Sequence, residues 1–470
     1  MVIYELNEVP RKLFEFYANS HPKSAFARLM ERSTLFETQA ADVGELSPWI
    51  TWPTMHRGVS NIDHEISDLG QDLAKVNEDY PSIHSLLASQ GVRVGVFGSL
   101  QSYPLPKNLN DFAFYVPDTF AAGPECFPEE LSVFQAFNLS MVERNARNVT
   151  LGIAGKDAYR FIIQSAKLGL TADTGLKLLR QLFNERINSH RLVRRRTSQV
   201  ELAFDLYMRQ LKKTQPDISF FFTNHLASSM HRYWPAIFPE DYEEGMFAEE
   251  WRKKWAGEIP HAIKVANAQL ERLLRYADKE GRELIVCSSM GQAAVKNTHP
   301  VESEILITNI KTLMGYLGLA PSDWEPRLSM APQVVVTPKT LTAQERLNRL
   351  KDISINGKQI KCIKTSTGEI RISLAISNQE KIVALDRGKE VSPTDLGIRN
   401  VYLQDAAASY AYHVPEGVLL HYDPNRRTRN TGVKTWEPIS VLDFAPSVMR
   451  RFGKAPPSYM TRGSGFWRFR

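Results

Sequence analysis

The chain has 470 residues, 43% hydrophobic and 23% charged, which is ordinary for a globular protein with a sizeable core and excludes a disordered or collagen-like chain. No apolar run approaches the ~20 residues that span a bilayer, and MVIYELNEVP lacks the basic-then-apolar pattern of a secretory signal, so no membrane span and a cytoplasmic location are expected. The formal charge of +6 favours anionic partners, while three scattered cysteines, Cys126, Cys287 and Cys362, argue against a disulfide framework or a cysteine metal cluster.

Short apolar runs alternate with longer amphipathic segments, which predicts an α/β fold with a mostly parallel sheet flanked by helices. Val2 to Leu6 is the first strand, Arg11 to Glu31 a helix, and Pro81 to Gln90 a helix with proline at its first turn, followed by a strand from Val92 to Phe97. Thr174 to Lys213 carries leucines at helical spacing and predicts two helices, which Pro216 stops. ISFFFT, Ile218 to Thr223, is almost continuously apolar and predicts a central strand; an amphipathic helix over Ile263 to Ala277 and a strand over Glu283 to Ser288 follow. Residues 330–404 change to β-branched alternation with turn signals at Asn356-Gly357 and Thr367-Gly368, which predicts a small β-rich cap or insertion between 1–329 and 405–470. Ala411 to His421 and Ile439 to Phe444 return to strand-like patterning before a helix near Pro446 to Phe452. The basic runs Arg191 to Arg196, Arg426 to Arg429 and Arg462 to Arg470 are read first as solvated faces and a tail; nucleic acid is not an expected partner.

Ligands of doubly wound sheets gather at the carboxyl ends of strands. The residues following each apolar run therefore form a candidate site: Asn7 and Glu8; Asn224 and His225, with His231 and Arg232 close behind; Ser288, Ser289, Met290 and Gln292; and His413. The polar segment Glu45 to Gly58 adds Ser47, Thr51 and Thr54, any of which serves as a nucleophile once a base or metal activates it, or else caps a helix.

In this order the segments resemble the alkaline phosphatase superfamily, in its type I phosphodiesterase and nucleotide pyrophosphatase branch. SPWITWPTMHRGVSNIDHEI, from Ser47 to Ile66, is similar to the branch's nucleophile region, with Gly58, His64 and Ile66 at the family spacing and Arg57 and Glu65 standing where threonine and glycine are usual. QGVRVGVFGSLQSYP, FYVPDTF, FFFTNHLASSMHRYW, LIVCSSMG and AYHVPEGVLLHYDP resemble later segments in the right order, so the resemblance covers nearly the whole chain.

The resemblance implies two zinc or manganese ions that activate a serine or threonine against a phosphoryl or sulfuryl centre. His231 and His413 fall on ligand positions of one metal, but that metal's aspartate position is Ala227. At the second metal, Asn7, Ser289 and Met290 replace two aspartates and a histidine, and an amide, a hydroxyl and a thioether are poor ligands for a hard dication. The expectation is thus a two-metal centre lost or reduced to one metal at most, held by His231 and His413 with a substitute such as His225, Glu8 or Glu45.

Three functions follow as expectations. The first is a divergent phosphodiesterase-like hydrolase or transferase on an anionic phosphate- or glycan-containing substrate. Its catalytic candidates are Ser47, ranked first, Thr51, Thr54, His231 and His413; its substrate-binding candidates are Asn7, Glu8, Arg57, Asn224, His225, Arg232, Ser289 and Gln292. The second is a metal-free glycan or nucleotide-sugar transferase or hydrolase with His231 or His413 as acid or base. The third is a non-catalytic binding or scaffold protein.

Overall fold

The computed structural model describes residues 1–144, 156–327, 329, 332–365, 368–426 and 436–460. Thr367 of the second predicted turn, most of the Arg426 to Arg429 run and the Arg462 to Arg470 tail lie outside the described residues.

Five of the strands form the parallel centre of one sheet: β1 (Val2–Leu6), β3 (Val94–Phe97), β4 (Phe112–Val116), β5 (Ile218–Thr223) and β6 (Leu284–Cys287), in the spatial order β6-β1-β5-β3-β4. Strand Glu416–Tyr422 runs antiparallel between β6 and β2 (Ser33–Gln39), and Glu437–Ser440 closes that edge of the eight-stranded sheet. The architecture is α/β, with a mostly parallel sheet flanked by helices and smaller antiparallel sheets beside it.

The period-two alternation of a strand sorts β1 between the two faces. Val2, Tyr4 and Leu6 enter a core cluster under helices Arg11–Ser20, Arg195–Thr214 and Glu258–Glu280. Ile3 enters the opposite cluster, beneath Pro48–Arg57, Ile83–Ser89 and Phe444–Arg451. Because β1 is buried on both faces, its end is held rigidly in the middle of the sheet.

Several elements differ from the sequence reading. Arg11 to Glu31 is two helices, Arg11–Ser20 and Ala25–Arg32, because Pro22 interrupts the segment and Ser24 caps the second helix through Ala27 N–H. The Thr174 to Lys213 stretch, by contrast, forms two helices as expected, Ala172–Ile187 and Arg195–Thr214, joined by a short 3₁₀ turn Ser189–Arg194. Ala411 to His421 is two strands, Ala411–Val414 and Glu416–Tyr422, since Pro415 breaks the ladder. Ile439 to Phe444 is strand only as far as Ser440 and then turns helical.

The β-branched region folds into two four-stranded antiparallel sheets around a separate apolar cluster, whose residues run from Ile305 to Ile398. Asn356 and Gly357 both have positive φ, 48° and 76°, as a two-residue hairpin between Ile353–Ile355 and Lys358–Gln359 requires. All three cysteines are free thiols. Among the described residues no helix is long and apolar enough to cross a membrane.

Candidate functional site

A cleft of about 440 Å³ opens at the carboxyl ends of β1 and β5, within the size range of small-molecule sites. Glu8, just past the end of β1, is buried and takes φ of +59°, a left-handed conformation that side-chain-bearing residues rarely adopt. That backbone reversal turns its carboxylate into the cleft wall. Oε2 stands 2.9 Å from His231 Nε2 and 3.3 Å from His413 Nε2, and accepts from Gln292 Nε2.

Three different elements supply these partners. His231 lies on helix His225–Ile237, which starts directly after β5. His413 lies on Ala411–Val414, whose partner is β7 (Gly291–Ala294), and the register sets His413 opposite Gln292. Gly291 makes this pairing possible, since a Cβ there would strike the Glu416 carbonyl.

Both imidazoles are oriented from behind. His231 Nδ1 donates to the Ala411 carbonyl at 2.6 Å, and His413 Nδ1 donates to the Leu46 carbonyl at 2.7 Å, so each ring turns Nε2 toward Glu8. Tyr412 stacks on the His413 ring with centroids 4.2 Å apart. Burial alone would raise the Glu8 carboxyl, but the charges and hydrogen bonds of His231 and His413 outweigh it and hold Glu8 below the usual carboxylate range. Burial would lower His413, and the facing Glu8 carboxylate raises it instead.

This donor set fits one divalent cation. A carboxylate with two imidazoles, each pinned through Nδ1 to a carbonyl, is a recognised ligand group and outer shell for zinc. Donors bonded to one ion at ~2.0–2.2 Å stand roughly 3 to 3.5 Å apart, and the Glu8 distances of 2.9 and 3.3 Å approach this spacing. Of the substitutes foreseen for Ala227, Glu8 is the residue brought to His231 and His413; Glu45 instead accepts from Tyr412 Oη at 3.1 Å.

The residues at the second expected metal do not fit an ion. Asn7 donates to Glu8 Oε1 and Asn224 Oδ1, both at 2.7 Å, and accepts from Trp52 Nε1 at 2.8 Å. Ser289 shares a 2.8 Å hydrogen bond with Thr51, and Met290 is fully buried. These groups satisfy one another and leave no anionic donor between them.

The three candidate nucleophiles part company. Ser47 occupies the N-cap position of helix Pro48–Arg57 and lines the cleft, but its side chain makes no capping bond and its buried Oγ has no partner. A buried hydroxyl left unpaired at the positive end of a helix, with room in front of it, is placed to meet an anionic group or to act on one. Thr51 is occupied by Ser289, and Thr54 by Asp42 and His64, so neither faces the cleft.

Asn7, Asn224 and Arg232 also line the cleft, and Gln292 reaches it through Glu8. Besides Ser289, which is held by Thr51, two more expected substrate-binding residues are turned away. Arg57 is buried at the far end of its helix, bonded to the Tyr80 carbonyl and Asn77, and burial pushes its guanidinium down to about 10. His225 lies under its own helix, accepting from Thr223 and donating to the Ala262 carbonyl at 3.1 Å, and burial pushes it down to about 3.

No protein-family model matches the chain, and no curated protein does. Among solved structures it is similar to murine ectonucleotide pyrophosphatase/phosphodiesterase 5, at TM-score 0.40 and 11% identity over 97% of this chain and 96% of that one. The human ectonucleotide pyrophosphatase/phosphodiesterase 5 gives 0.40 and 10% over the same shares. Phosphonoacetate hydrolase from Sinorhizobium meliloti 1021, in complex with phosphonoacetate, gives 0.39 and 13% over 94% and 93%. Likeness at these TM-scores carries no argument about family or activity.

Sequence reasoning missed Arg196, Arg371, Asp68 and Ser228 as cleft-lining residues. Arg196 was visible only as part of a basic run. Arg371 comes from the β-rich region and pairs with Asp68 across the cleft, a contact between residues 303 apart that no local pattern announces.

Proposed function

We propose that the protein is a divergent relative of the type I phosphodiesterase and nucleotide pyrophosphatase branch of the alkaline phosphatase superfamily, acting as a hydrolase or transferase on an anionic, phosphate- or glycan-containing substrate. One observation carries this reading: Glu8, His231 and His413 converge in the same cleft as the unpaired Ser47 hydroxyl. Glu8, His231 and His413 would hold a single zinc or manganese ion, which when bound polarises a phosphoryl oxygen and offsets its charge.

Ser47 is the nucleophile in this reading. Its Oγ stands at the N-terminus of Pro48–Arg57, where the helix dipole favours a developing negative charge. Asn7 and Gln292 hold the Glu8 carboxylate, while the Leu46 and Ala411 carbonyls hold the rings of His413 and His231. Asn224 and Arg232 line the cleft beside them and would orient the substrate. Residues 330–404 form a cap in the same proposal, supported by the reach of Gln333 and Arg371 into the cleft wall. A cytoplasmic location is supported by the free thiols.

The Glu8–His231 separation of 2.9 Å is also an ordinary hydrogen-bond length, which favours a metal-free glycan or nucleotide-sugar transferase or hydrolase as the second reading. Elemental analysis of protein never exposed to chelator separates the two. About one equivalent of metal, lost in Glu8→Gln and His231→Ala, supports the first. Absence of metal with turnover of sugar nucleotides supports the second. Turnover of an aryl phosphodiester should fall about 10³-fold or more in Ser47→Ala while metal content stays unchanged. Failure of every aryl phosphodiester and sugar nucleotide to turn over would sink both enzymatic readings and leave a binding or scaffold protein.

A further inference from the structure

Helix Ala172–Ile187 packs onto the molecule through its polar side. Its buried side chains are Thr174 and Glu185, and Glu185 accepts from Arg195 Nε at 3.0 Å. Gln181, at helical spacing between them, donates to the Arg191 carbonyl at 2.8 Å, and the capping Thr171 donates to Asp205 at 2.8 Å. The opposite face carries Leu176, Leu179, Phe183 and Ile187 at spacings of three and four residues, each 46% to 66% exposed. A surface helix ordinarily turns its apolar stripe to the core, and this one turns it to solvent.

Helix Lys156–Leu168, directly before it, buries Ala158, Phe161 and Leu168 in the core yet leaves Tyr159, Ile162 and Ile163 61% to 68% exposed. Exposed cations flank both stripes: Arg160 and Lys167 on the first helix, Arg180 and Arg186 on the second. Asp173, the exposed acid of the second helix, pairs with Lys177 at 2.9 Å. Apolar stripes bordered by lysine and arginine suit helices lying in the interface of a bilayer, where long cationic side chains reach the headgroups. A second copy of the chain fits less well, because stripes set face to face would bring like charges together.

We propose that Lys156–Leu168 and Ala172–Ile187 form a docking surface for an anionic lipid bilayer. The seven exposed apolar side chains enter the boundary between headgroups and acyl chains, and Arg160, Lys167, Arg180 and Arg186 meet the anionic headgroups. Such a surface lies on the membrane without spanning it. Among the described residues neither helix lines the cleft, so the docking surface is independent of the chemistry proposed there.

Flotation with vesicles tests this. Wild-type protein should bind phosphatidylcholine vesicles carrying about 30% phosphatidylserine at least about ten-fold more strongly than pure phosphatidylcholine, and about 0.5 M salt should remove most of that preference. Leu179→Ser with Phe183→Ser should weaken binding to the anionic vesicles about 100-fold. Arg180→Gln with Arg186→Gln should weaken it about 25-fold, since each cation near an anionic surface contributes roughly five-fold. Leu341→Ser, at an 81% exposed residue on another helix, should leave binding within about two-fold. Circular dichroism checks the fold of each variant; should the serine pair fail to fold, the glutamine pair carries the test. No binding of wild type to anionic vesicles, equal binding to both compositions, or an equal loss in Leu341→Ser overturns the docking surface. A wild-type dimer in analytical ultracentrifugation that Leu179→Ser with Phe183→Ser dissociates, without vesicle binding, assigns the stripes to a second copy and likewise overturns it.

Discussion

Hydroxyls that look alike in the sequence have unlike fates because a helix turns each to a different neighbour. Ser47, Thr51 and Thr54 lie within eight residues, yet Ser47 faces the cleft, Thr51 is locked to Ser289, and Thr54 sits between Asp42 and His64. The structural role of Thr51 gives a contrast to Ser47→Ala. Thr51→Ala should cost about 1–3 kcal/mol in urea unfolding, because it strands the buried Ser289 hydroxyl, while metal content and ligand affinity stay unchanged. At Glu65, where the resembling family carries glycine, φ is +53°, so the left-handed turn is present without the glycine. Residue identity named Glu8, His231 and His413 among the candidates, but could not say that these three meet, or that Arg57 and His225 turn away. That depends on helix face and on buried partners such as Asn77 and the Ala262 carbonyl.

Elements bring those residues together, and the close approach at Gly291 is the point of least tolerance. Strand β7 packs against the Glu416 carbonyl and fixes the register of His413 with Gln292. Gly291→Ala should therefore cost about 1–3 kcal/mol or more in denaturant unfolding. In the proposed single-metal reading, the same variant should also lower bound metal measured by elemental analysis, because His413 shifts with its strand. Most strand positions were legible, since β1 and β5 are continuous apolar runs bounded by polar residues. Breaks at Pro22 and Pro415 were less so, because amphipathic periodicity persists through a short interruption and only the chain's change of direction reveals it.

At the scale of the molecule, burial makes stability depend on pH. Burial, reinforced at His64 by Arg57, pushes His64 and His225 down to about 3, and burial pushes His84 in the same direction. Unfolded histidines titrate near 6.5, so below that pH the unfolded chain binds protons that the folded one refuses, and stability falls as pH falls. At pH 5 His64 and His225 should each cost about 2 kcal/mol relative to pH 7 or above. Burial raises Asp118 to about 6, which has the opposite sign and returns about 1 kcal/mol at that pH. Urea unfolding at pH 7 and pH 5 should thus show a net loss of several kcal/mol; unchanged stability would contradict the neutral burial of these histidines.

The sequence by itself determined the α/β class, the order of the main strands, and a set of polar residues at their ends, because strand length, alternation and turn chemistry are local. It also set an amide, a hydroxyl and a thioether, Asn7, Ser289 and Met290, at the positions where the resemblance implies ligands of a second metal. Only the tertiary structure decided that Glu8 joins His231 and His413, that Ser47 alone of the three hydroxyls faces the cleft, and that Leu176, Leu179 and Phe183 turn outward. Each of these depends on contacts between residues distant in the chain, and on which face of a helix packing turns inward.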